Sequence, residues 1–417
     1  MFSWEFPPRS VGGLAQHVYD LSIAIAKQGH EVHVITCGSN DTPVYEEMEG
    51  VNVHRVHPYT LSAPNFVMWI QQLNMSMVEY GITLMNSMGK VDVVHAHDWL
   101  VGYASKIFKY SYQVPLIATI HATEYGRNCG LHNDTQRYIS SVEWWLTYES
   151  WRVICCSNYM KKELQQIFQL PDDKIRIIPN GVNTDNFIAD TIDSSFKNNF
   201  ASYSEHIVFY VGRLVQEKGV QVLIEAIPKI LHYKPNTKFV IAGKGPNEEY
   251  LKNKAWHMGV SDRIYFTGYI DDATRNKLYN IADVAVFPSL YEPFGIVALE
   301  GMAAKTPVVV SDTGGLGEII NHNINGLKTY TGSASSLADN VLQILFNPDA
   351  AKGMQERAYK EIKDKYNWDN IAKKTIDVYQ EVKEEEKSAL IMKKDKGTET
   401  DRLLRNTAPY HRSYQQG

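Results

Sequence analysis

The chain of 417 residues has 44% hydrophobic and 21% charged residues, and its formal net charge is −5 at pH 7. This length exceeds one ordinary hydrophobic core and predicts two domains, while the acidic balance gives no reason to expect nucleic acid as a partner. The sequence shows neither a signal-peptide pattern nor an apolar run of about 18 residues, so we expect neither secretion nor a membrane span. Its four cysteines have no metal-ligand spacing and fit a reducing, cytoplasmic environment.

Short apolar strands alternate with helical patterns along the chain, which predicts helices layered on parallel sheets. The first helix is marked by one apolar face and by Gly29 at its end. That face consists of Leu14, Val18, Leu21 and Ile25. In the first half, strands are predicted at residues 1–5, 31–36, 51–56, 92–96, 115–120, 152–156 and 175–178. In the second half, strands are predicted at residues 207–211, 238–242, 263–267, 283–287 and 307–310.

These two series predict two Rossmann-like domains, over residues 1–178 and 206–360, that face each other across a deep cleft. Residues 179–205 begin with a Pro-Asn-Gly turn, continue into a polar stretch and are predicted to form a hinge and linker. Residues 361–383 are predicted to contain a helix that returns to the first domain. The apolar stripe of that helix consists of Ile371, Thr375, Val378 and Val382. The Lys/Glu-rich start of residues 384–417 predicts a disordered tail.

The segment 291–300 carries two carboxylates, Glu292 and Glu300, on either side of a Phe-Gly pair. A strand is predicted to end near Phe287, a loop to carry Glu292, and a helix to begin near Gly295. The first amides of a helix lack internal partners, so they form an anion site with a carboxylate on either side. This combination suits a ligand with both a phosphate and several hydroxyls, such as a nucleotide sugar.

Two other segments at strand ends are candidates for phosphate binding. Gly12 and Gly13 open the first helix, where a backbone without side chains can approach an anion closely. Arg213 and Lys218 follow the first strand of the second half and are placed to hold a diphosphate. The alternatives are a plain strand-to-helix turn for the glycine pair and a solvated loop in which both cations pair with Glu217.

Polar side chains also follow two strands of the first half. His95, His97 and Asp98 lie at the end of one strand, and His121 ends the next. Two histidines two residues apart share one strand face and so allow a metal site, but the sequence offers no obvious third ligand. A polar rim for sugar hydroxyls is the favoured interpretation. His121 is interpreted as part of a catalytic rim, and the alternative is a satisfied core histidine.

Together these motifs resemble the retaining GT-B glycosyltransferases, specifically family 4. The resemblance extends from Phe2 to about Val382 and depends on the joint pattern of residues 292–300 and 212–219. Within the family, the His-Asp-Trp segment at 97–99 and the segment 121–127 look most like the glycogen and starch synthases.

The resemblance implies a role for each candidate residue. The donor diphosphate is implied to be bound by two cationic side chains and by the backbone of the glycine loop and of the helix start. The cations are Arg213 and Lys218, and the backbone positions are Gly12, Gly13, Gly295 and Ile296. The residues implied to be catalytic, in contact with the transferred sugar, are Glu292, His121 and Asp98. Glu300 is implied to hold the ribose, and Tyr269 to pack near the nucleobase.

The implied reaction moves a hexosyl unit, glucosyl by preference, from UDP- or ADP-glucose to the end of an α-1,4-glucan with retained anomeric configuration. Ser10 and Val11 stand where the bacterial ADP-glucose enzymes have a lysine before the glycine pair, and those enzymes lack a carboxylate at Glu300, so both donor bases stay open. A lipid or small-molecule acceptor is an alternative. A nucleotide-sugar epimerase and a non-catalytic nucleotide-sugar-binding protein are alternatives of another class.

The expected partners are a nucleotide sugar and a carbohydrate acceptor. The sequence contains no Asp-x-Asp, so no cofactor and no catalytic metal are expected beside the donor. Residues 1–170 carry 11 Lys and Arg against 15 Asp and Glu, which disfavours strong electrostatic attraction to an anionic membrane.

Overall fold

The computed structural model describes residues 1–187 and 194–395, which form two successive α/β domains. The helices in chain order are α1 (Gly13–Lys27), α2 (Phe66–Met88), α3 (Gly102–Ser111), α4 (Glu124–Asn128), α5 (Asp134–Glu149), α6 (Asn158–Phe168), α7 (Ser194–Lys197), α8 (Val220–Tyr233), α9 (Glu248–His257), α10 (Asp272–Ile281), α11 (Ile296–Ala303), α12 (Gly314–Ile319), α13 (Ala334–Phe346), α14 (Pro348–Lys365) and α15 (Trp368–Asp395). None of these described helices combines the length and the apolar character that crossing a bilayer requires.

The first domain is built on a sheet in two parts joined by one residue. Its strands are β1 (Val32–Cys37), β2 (Tyr45–Met48), β3 (Val51–Val56), β4 (Val94–His97), β5 (Leu116–Ile120), β6 (Arg152–Cys155) and β7 (Ile175–Ile177). One part has the order β1-β3-β2 and the other the order β4-β5-β6-β7, and only β2 runs antiparallel to its neighbour. Phe2 bridges Ile35 of β1 and Ala96 of β4, so the two parts form one layer.

The second domain is built on a parallel six-stranded sheet. Its strands are β8 (His206–Val211), β9 (Thr237–Ala242), β10 (Ile264–Gly268), β11 (Val284–Phe287), β12 (Val308–Ser311) and β13 (Leu327–Thr329). The order is β10-β9-β8-β11-β12-β13, so the direction of progression reverses between β8 and β11. In sheets of this kind ligands bind beyond the carboxyl ends of the strands at the reversal point. The fold therefore confirms the two predicted Rossmann-like domains.

The last helix returns to the first domain as predicted. Its stripe of Ile371, Thr375, Val378 and Val382 is buried, and α15 packs against α1. Arg152 and Arg176 of the first-domain sheet pair with Glu381, which fixes the helix across the sheet. The helix continues to Asp395, so the predicted disorder is wrong for residues 384–395, and residues 396–417 lie outside the described part.

Three details of the sheets differ from the sequence predictions. The predicted strand at residues 1–5 is reduced to the bridges of Phe2. The strands β2 and β13 were not predicted, because β2 alternates exposed and half-buried side chains and β13 has only three residues. Within the predicted linker, residues 184–187 form a 3-10 turn and α7 follows at Ser194, while residues 188–193 are outside the described part.

Candidate active site

The carboxyl ends of β8 and β11 lie side by side at the reversal point, and they bring Lys218 and Glu292 together. The Lys218 Nζ is 2.6 Å from the Glu292 Oε2, and the Ser289 hydroxyl donates to the same oxygen at 3.0 Å. Glu292 is buried, so it is held by a cation and a hydroxyl rather than by water. Arg213 is about half exposed (48%), and its one ion pair with the described residues is a 3.4 Å contact with Glu217. Its guanidinium is therefore available at the strand end.

Close backbone contacts fix the loop that carries Glu292. A Cβ on Gly219 would lie 1.9 Å from the Pro288 carbonyl oxygen, and one on Gly314 would lie 2.0 Å from the Glu292 carbonyl oxygen. Both glycines have positive φ, at 69° and 51°. Gly315 donates its N–H to the Glu292 carbonyl at 2.9 Å. The glycines therefore let three loops pack with their backbones in contact, which sets the position of the Glu292 side chain.

The glycine pair of the first domain faces the start of α11 in the second domain. Gly12 caps α1, and a Cβ built on Gly13 would lie 3.1 Å from the Ile296 Cδ1. Gly295 precedes α11 with φ 108°, so the helix begins as predicted. The first amides of α11 and the glycine loop thus lie on opposite walls of one cleft, as an anionic ligand between the domains requires.

A buried carboxylate that sequence analysis did not identify holds the glycine loop. Glu5 is almost fully buried, and its Oε2 accepts the Val11 N–H at 2.5 Å. Burial raises the pKa of Glu5 to about 7, although hydrogen bonds from Val11 and Gly12 oppose the rise. The sequence signal was slight, because Glu5 lies in a turn before two prolines and outside any motif.

On the first-domain wall, Asp98 and His121 are held together at the ends of β4 and β5. The Asp98 Oδ1 accepts the His121 backbone N–H at 2.8 Å, and Asp98 has an unusual φ of 62°. Burial raises the pKa of Asp98 to about 6, and nearby Arg127 opposes this rise. Burial, with Arg127, lowers the pKa of His121 to about 3. The histidine is thus a neutral hydrogen-bonding group, and Asp98 orients its backbone.

Arg127 itself lies in a buried charge cluster that sequence analysis did not resolve. Asp98 and Glu143 raise its pKa against the effect of burial. The Glu143 carboxylate also accepts the Glu124 N–H, at 2.9 and 3.1 Å, so it anchors the start of α4. The cluster places a cation beside the predicted sugar pocket.

Tyr291 connects the two walls of the cleft. Its hydroxyl donates to Glu163 Oε1 at 2.9 Å, and Thr123 donates to the same oxygen at 2.5 Å. A Cβ on Gly126 would lie 2.4 Å from the Tyr291 ring. Because Tyr291 precedes Glu292 and Thr123 follows His121 by two residues, this contact brings the two predicted catalytic segments together.

A second contact joins the domains behind the cleft. The Glu318 carboxylate of α12 accepts the N–H groups of Asn158 and Tyr159 at the start of α6, at 2.9 and 2.7 Å. The Ser157 hydroxyl donates to the Pro293 carbonyl at 2.7 Å. The loop before α11 is therefore tied to the first domain as well as to its own.

Glu300 and Tyr269 lie at the outer part of the site. Glu300 is buried on α11, 3.4 Å from Arg275 Nη1, and its Oε2 accepts the Tyr279 hydroxyl at 3.1 Å. Burial raises the pKa of Glu300, while Arg275 and Tyr279 oppose the rise. Tyr269 is 72% exposed and lies near Arg275. Arg275 and Tyr279 are the residues here that sequence analysis missed.

Two family models match the chain side by side. The model described as Glycosyltransferase Family 4 matches residues 11–186, and the model described as Glycosyl transferases group 1 matches residues 191–361. The first match includes Asp98 and His121, and the second includes Glu292.

Individual relatives match over nearly the whole chain. The sequence is 43% identical over 388 residues to an uncharacterized glycosyltransferase of Methanocaldococcus jannaschii, covering 91% of this chain and 97% of that protein. It is 36% identical over 394 residues to a glycogen synthase of Mycobacterium tuberculosis, covering 91% and 93%. Among solved structures, a sucrose-phosphate synthase of Thermosynechococcus elongatus matches with a TM-score of 0.78 and 25% identity, covering 89% and 94%.

Proposed function

Because this chain belongs to the GT-B glycosyltransferases and resembles the glycogen and starch synthases among them, we propose that it extends an α-1,4-glucan. The donor is a nucleotide sugar, UDP-glucose or ADP-glucose, and the transferred unit is glucosyl. The anomeric configuration of the donor is retained in the product. The 36% identity to a glycogen synthase supports glucan as the acceptor. Four unpaired cysteines support a reducing, cytoplasmic setting.

One observation supports this proposal most directly: two cations and a helix start converge at the reversal point of the second-domain sheet. Arg213 and Lys218 follow β8, and the amides at Gly295 and Ile296 follow β11, which is its neighbour. A diphosphate placed there meets cations on one side and unpaired amides on the other. Gly12 and Gly13 cover the same anion from the first domain.

The contacts of Glu292 favour a front-side reaction over a double displacement. A retaining hydrolase uses a pair of carboxyl groups about 5 Å apart, one of them a nucleophile. Here Lys218 and Ser289 both engage the Oε2 of Glu292, which suits a carboxylate that holds a sugar hydroxyl. In the proposed reaction the C1–O bond to the diphosphate breaks, and the leaving diphosphate accepts the proton of the incoming hydroxyl. The new C1–O bond forms on the same face.

The first-domain residues serve the transferred sugar in this proposal. His121 is neutral at physiological pH, so its ring hydrogen-bonds to a sugar hydroxyl instead of carrying charge. Asp98 fixes the backbone of His121. Glu300 binds the ribose, with Arg275 and Tyr279 holding its carboxylate in place.

A small phosphorylated sugar is the second candidate acceptor. The solved relative with the TM-score of 0.78 is named for making sucrose phosphate. Arg127 is a partly buried cation beside Asp98 on the acceptor-side wall, and such a group suits a phosphate. An epimerase remains the alternative from another class, since it uses the same donor site without an acceptor.

One experiment separates these possibilities. The full chain is incubated with UDP-glucose or ADP-glucose, each with glycogen, with a sugar phosphate or with no acceptor, and with or without EDTA. Release of nucleoside diphosphate and growth of the acceptor are followed together. We expect release that depends on glycogen, elongation of its chains, and no loss of activity with EDTA. Release that does not depend on any acceptor would instead identify a hydrolysing enzyme, and conversion of the donor into an isomeric nucleotide sugar without net release would identify an epimerase.

A further inference from the structure

Three histidines from separate elements converge under the carboxyl edge of the first-domain sheet. His17 lies on α1, His97 ends β4, and His121 directly follows β5. One ring nitrogen of each lies within 4.8 Å of the others. The convergence is a product of the fold, because α1 crosses the sheet edge where two neighbouring parallel strands end.

The pair that the sequence offered as metal ligands, His95 and His97, is not the pair that the structure favours. The Nε2 of His95 lies 2.7 Å from the Thr119 hydroxyl, and its Nδ1 lies 2.7 Å from the Tyr379 hydroxyl. Both nitrogens of His95 are therefore engaged in hydrogen bonds. His97 instead points to His121, and His17 supplies the third donor that the sequence did not reveal.

The spacing of His97 and His121 fits two ligands of one ion. The Nδ1 of His97 and the Nε2 of His121 are 3.3 Å apart. Two imidazoles bound tetrahedrally to zinc, with Zn–N bonds of about 2.0–2.1 Å, have nitrogens about 3.3 Å apart. A direct hydrogen bond also fits this distance. It does not account for His17.

His17 is the observation that distinguishes an ion site from a hydrogen-bonded pair. Within the described part of the chain, neither of its buried ring nitrogens has a partner at hydrogen-bond distance, although Asn180 lies near enough to oppose the effect of burial on the pKa of His17. A buried polar group left without a partner destabilises the folded state. The ring centroids of His17 and His121 are 4.6 Å apart at 76°, an edge-to-face approach in which the rings do not stack.

Two opposite charges lie beside the three imidazoles. Arg127 repels a cation at His121, and Asp98, adjacent to both, offsets part of that charge.

We propose that His17, His97 and His121 form a site for one divalent transition-metal ion of the zinc type. Imidazole suits Zn²⁺, Co²⁺ and Ni²⁺, and three histidines leave a fourth position for water. The ion does not take part in sugar transfer. Because His121 also faces the sugar in the proposed function, a bound ion withdraws its ring from the sugar and inhibits the enzyme.

The test measures metal binding directly, so it stands even if the proposed transfer reaction fails. Metal-free full-length protein is titrated with Co²⁺ and with Zn²⁺ by calorimetry, in wild type, His17→Gln and His30→Gln. His30 is exposed just after α1 and serves as the control. We expect one ion per chain in wild type and His30→Gln, and at least 10-fold weaker binding in His17→Gln. Equal binding in all three proteins, or no binding in wild type, overturns the proposal.

A second measurement does not depend on a folded variant. X-ray absorption of the zinc-loaded wild type should show three imidazole nitrogens at about 2.0–2.1 Å. A sulfur ligand or a shell of oxygens alone would place the ion elsewhere and overturn the site. If transfer is observed, Zn²⁺ should inhibit wild type at one equivalent and leave His17→Gln active. Equal inhibition of both proteins also contradicts the proposal.

Discussion

Individual side chains divide the proposed reaction between charge stabilisation and positioning. Arg213 is about half exposed and makes one long contact with Glu217, whereas Lys218 is fixed on Glu292 at 2.6 Å. A guanidinium without a strong partner in the free protein is available to a diphosphate. Lys218 is instead preorganised, because Glu292 already holds its ammonium group.

Replacement of Arg213 tests the charge-stabilising role. One preorganised donor to developing charge contributes roughly 3–4 kcal/mol, so Arg213→Ala should lower kcat by about 100-fold or more. Arg263→Ala is the matched control, because Arg263 precedes β10 at the opposite end of the sheet. Steady-state kinetics of both variants measures the change in kcat. Near-wild-type turnover in Arg213→Ala would refute the assignment.

Glu5 gives a prediction about pH. Its folded-state pKa of about 7 is raised above the unfolded value of 4.5, so the stability that this shift contributes is complete below pH 4.5 and lost as pH rises through 7. Relative to Glu5→Gln, wild type should lose about 3 kcal/mol of unfolding free energy across that window. Urea unfolding at several pH values measures the difference. Glu249→Gln, at an exposed position of α9, should give no such trend, and an unchanged difference for Glu5→Gln would contradict this prediction.

Among single residues, those that lie in motifs could be predicted from the sequence, but the residues that they contact could not. The sequence placed Glu292, Arg213 and His121 at strand ends, because apolar strands are recognisable locally. His17 was missed because its neighbours His97 and His121 lie far along the chain, and Glu5 was missed because its contact with Val11 needs a local turn that the sequence does not specify. A buried carboxylate or histidine has no local sequence signature.

At the scale of elements, the site depends on loops that pack backbone to backbone. Gly219 and Gly259 have nearly the same φ, 69° and 68°, but only Gly219 would place a Cβ against a carbonyl. The contact is with Pro288, in the loop that leads to Glu292. A comparison of variants at the two glycines therefore distinguishes the effect of backbone strain from the effect of displacing the active-site loop.

Alanine at each position makes this comparison directly. Both Gly219→Ala and Gly259→Ala should lose about 1–2 kcal/mol of stability from the left-handed backbone. Only Gly219→Ala should also lose activity, by 10-fold or more, since Lys218 and Pro288 must move apart. Thermal unfolding and kinetics on the same samples provide the readouts. Equal activity in the two variants would show that the loop contact does not position the site.

Glu318 offers a test of the contact between the domains. Its carboxylate binds two amides at the start of α6, and hydrogen bonds to a charged group contribute about 1.5–3 kcal/mol. Glu318→Ala should favour an open arrangement of the domains and raise the radius of gyration measured by small-angle X-ray scattering without ligand. Glu249→Ala, at an exposed position of α9, should scatter like wild type. A compact Glu318→Ala would contradict this role.

The positions of the helices and strands were predicted better than the way in which the strands pair. Strands with continuous apolar runs were located, and α11 begins where the glycine and the proline before it indicated. The strand at residues 1–5 was overestimated, because Phe2 joins two strands by single bridges. The tail after residue 383 was predicted from composition, but Glu381 and Lys383 pair with first-domain residues and hold α15 in place.

For the whole molecule, the two domains act as the two walls of one site. In the proposed reaction, the second domain binds the diphosphate, through Arg213, Lys218 and the start of α11. The first domain contributes His121, Asp98 and the glycine loop. The contacts of Tyr291 and Glu318 hold the walls close together. Two similar Rossmann-like sheets follow from the sequence, but their mutual orientation does not, because it depends on these few contacts across the cleft.

The central claim is transfer of glucose across this cleft with its configuration retained. The most direct measurement is proton NMR of the product formed from the α-configured nucleotide sugar and a maltooligosaccharide by the full chain. We expect a chain longer by one unit or more, joined through a new α-linkage. A β-linked product, or free glucose with no elongated chain, would contradict it.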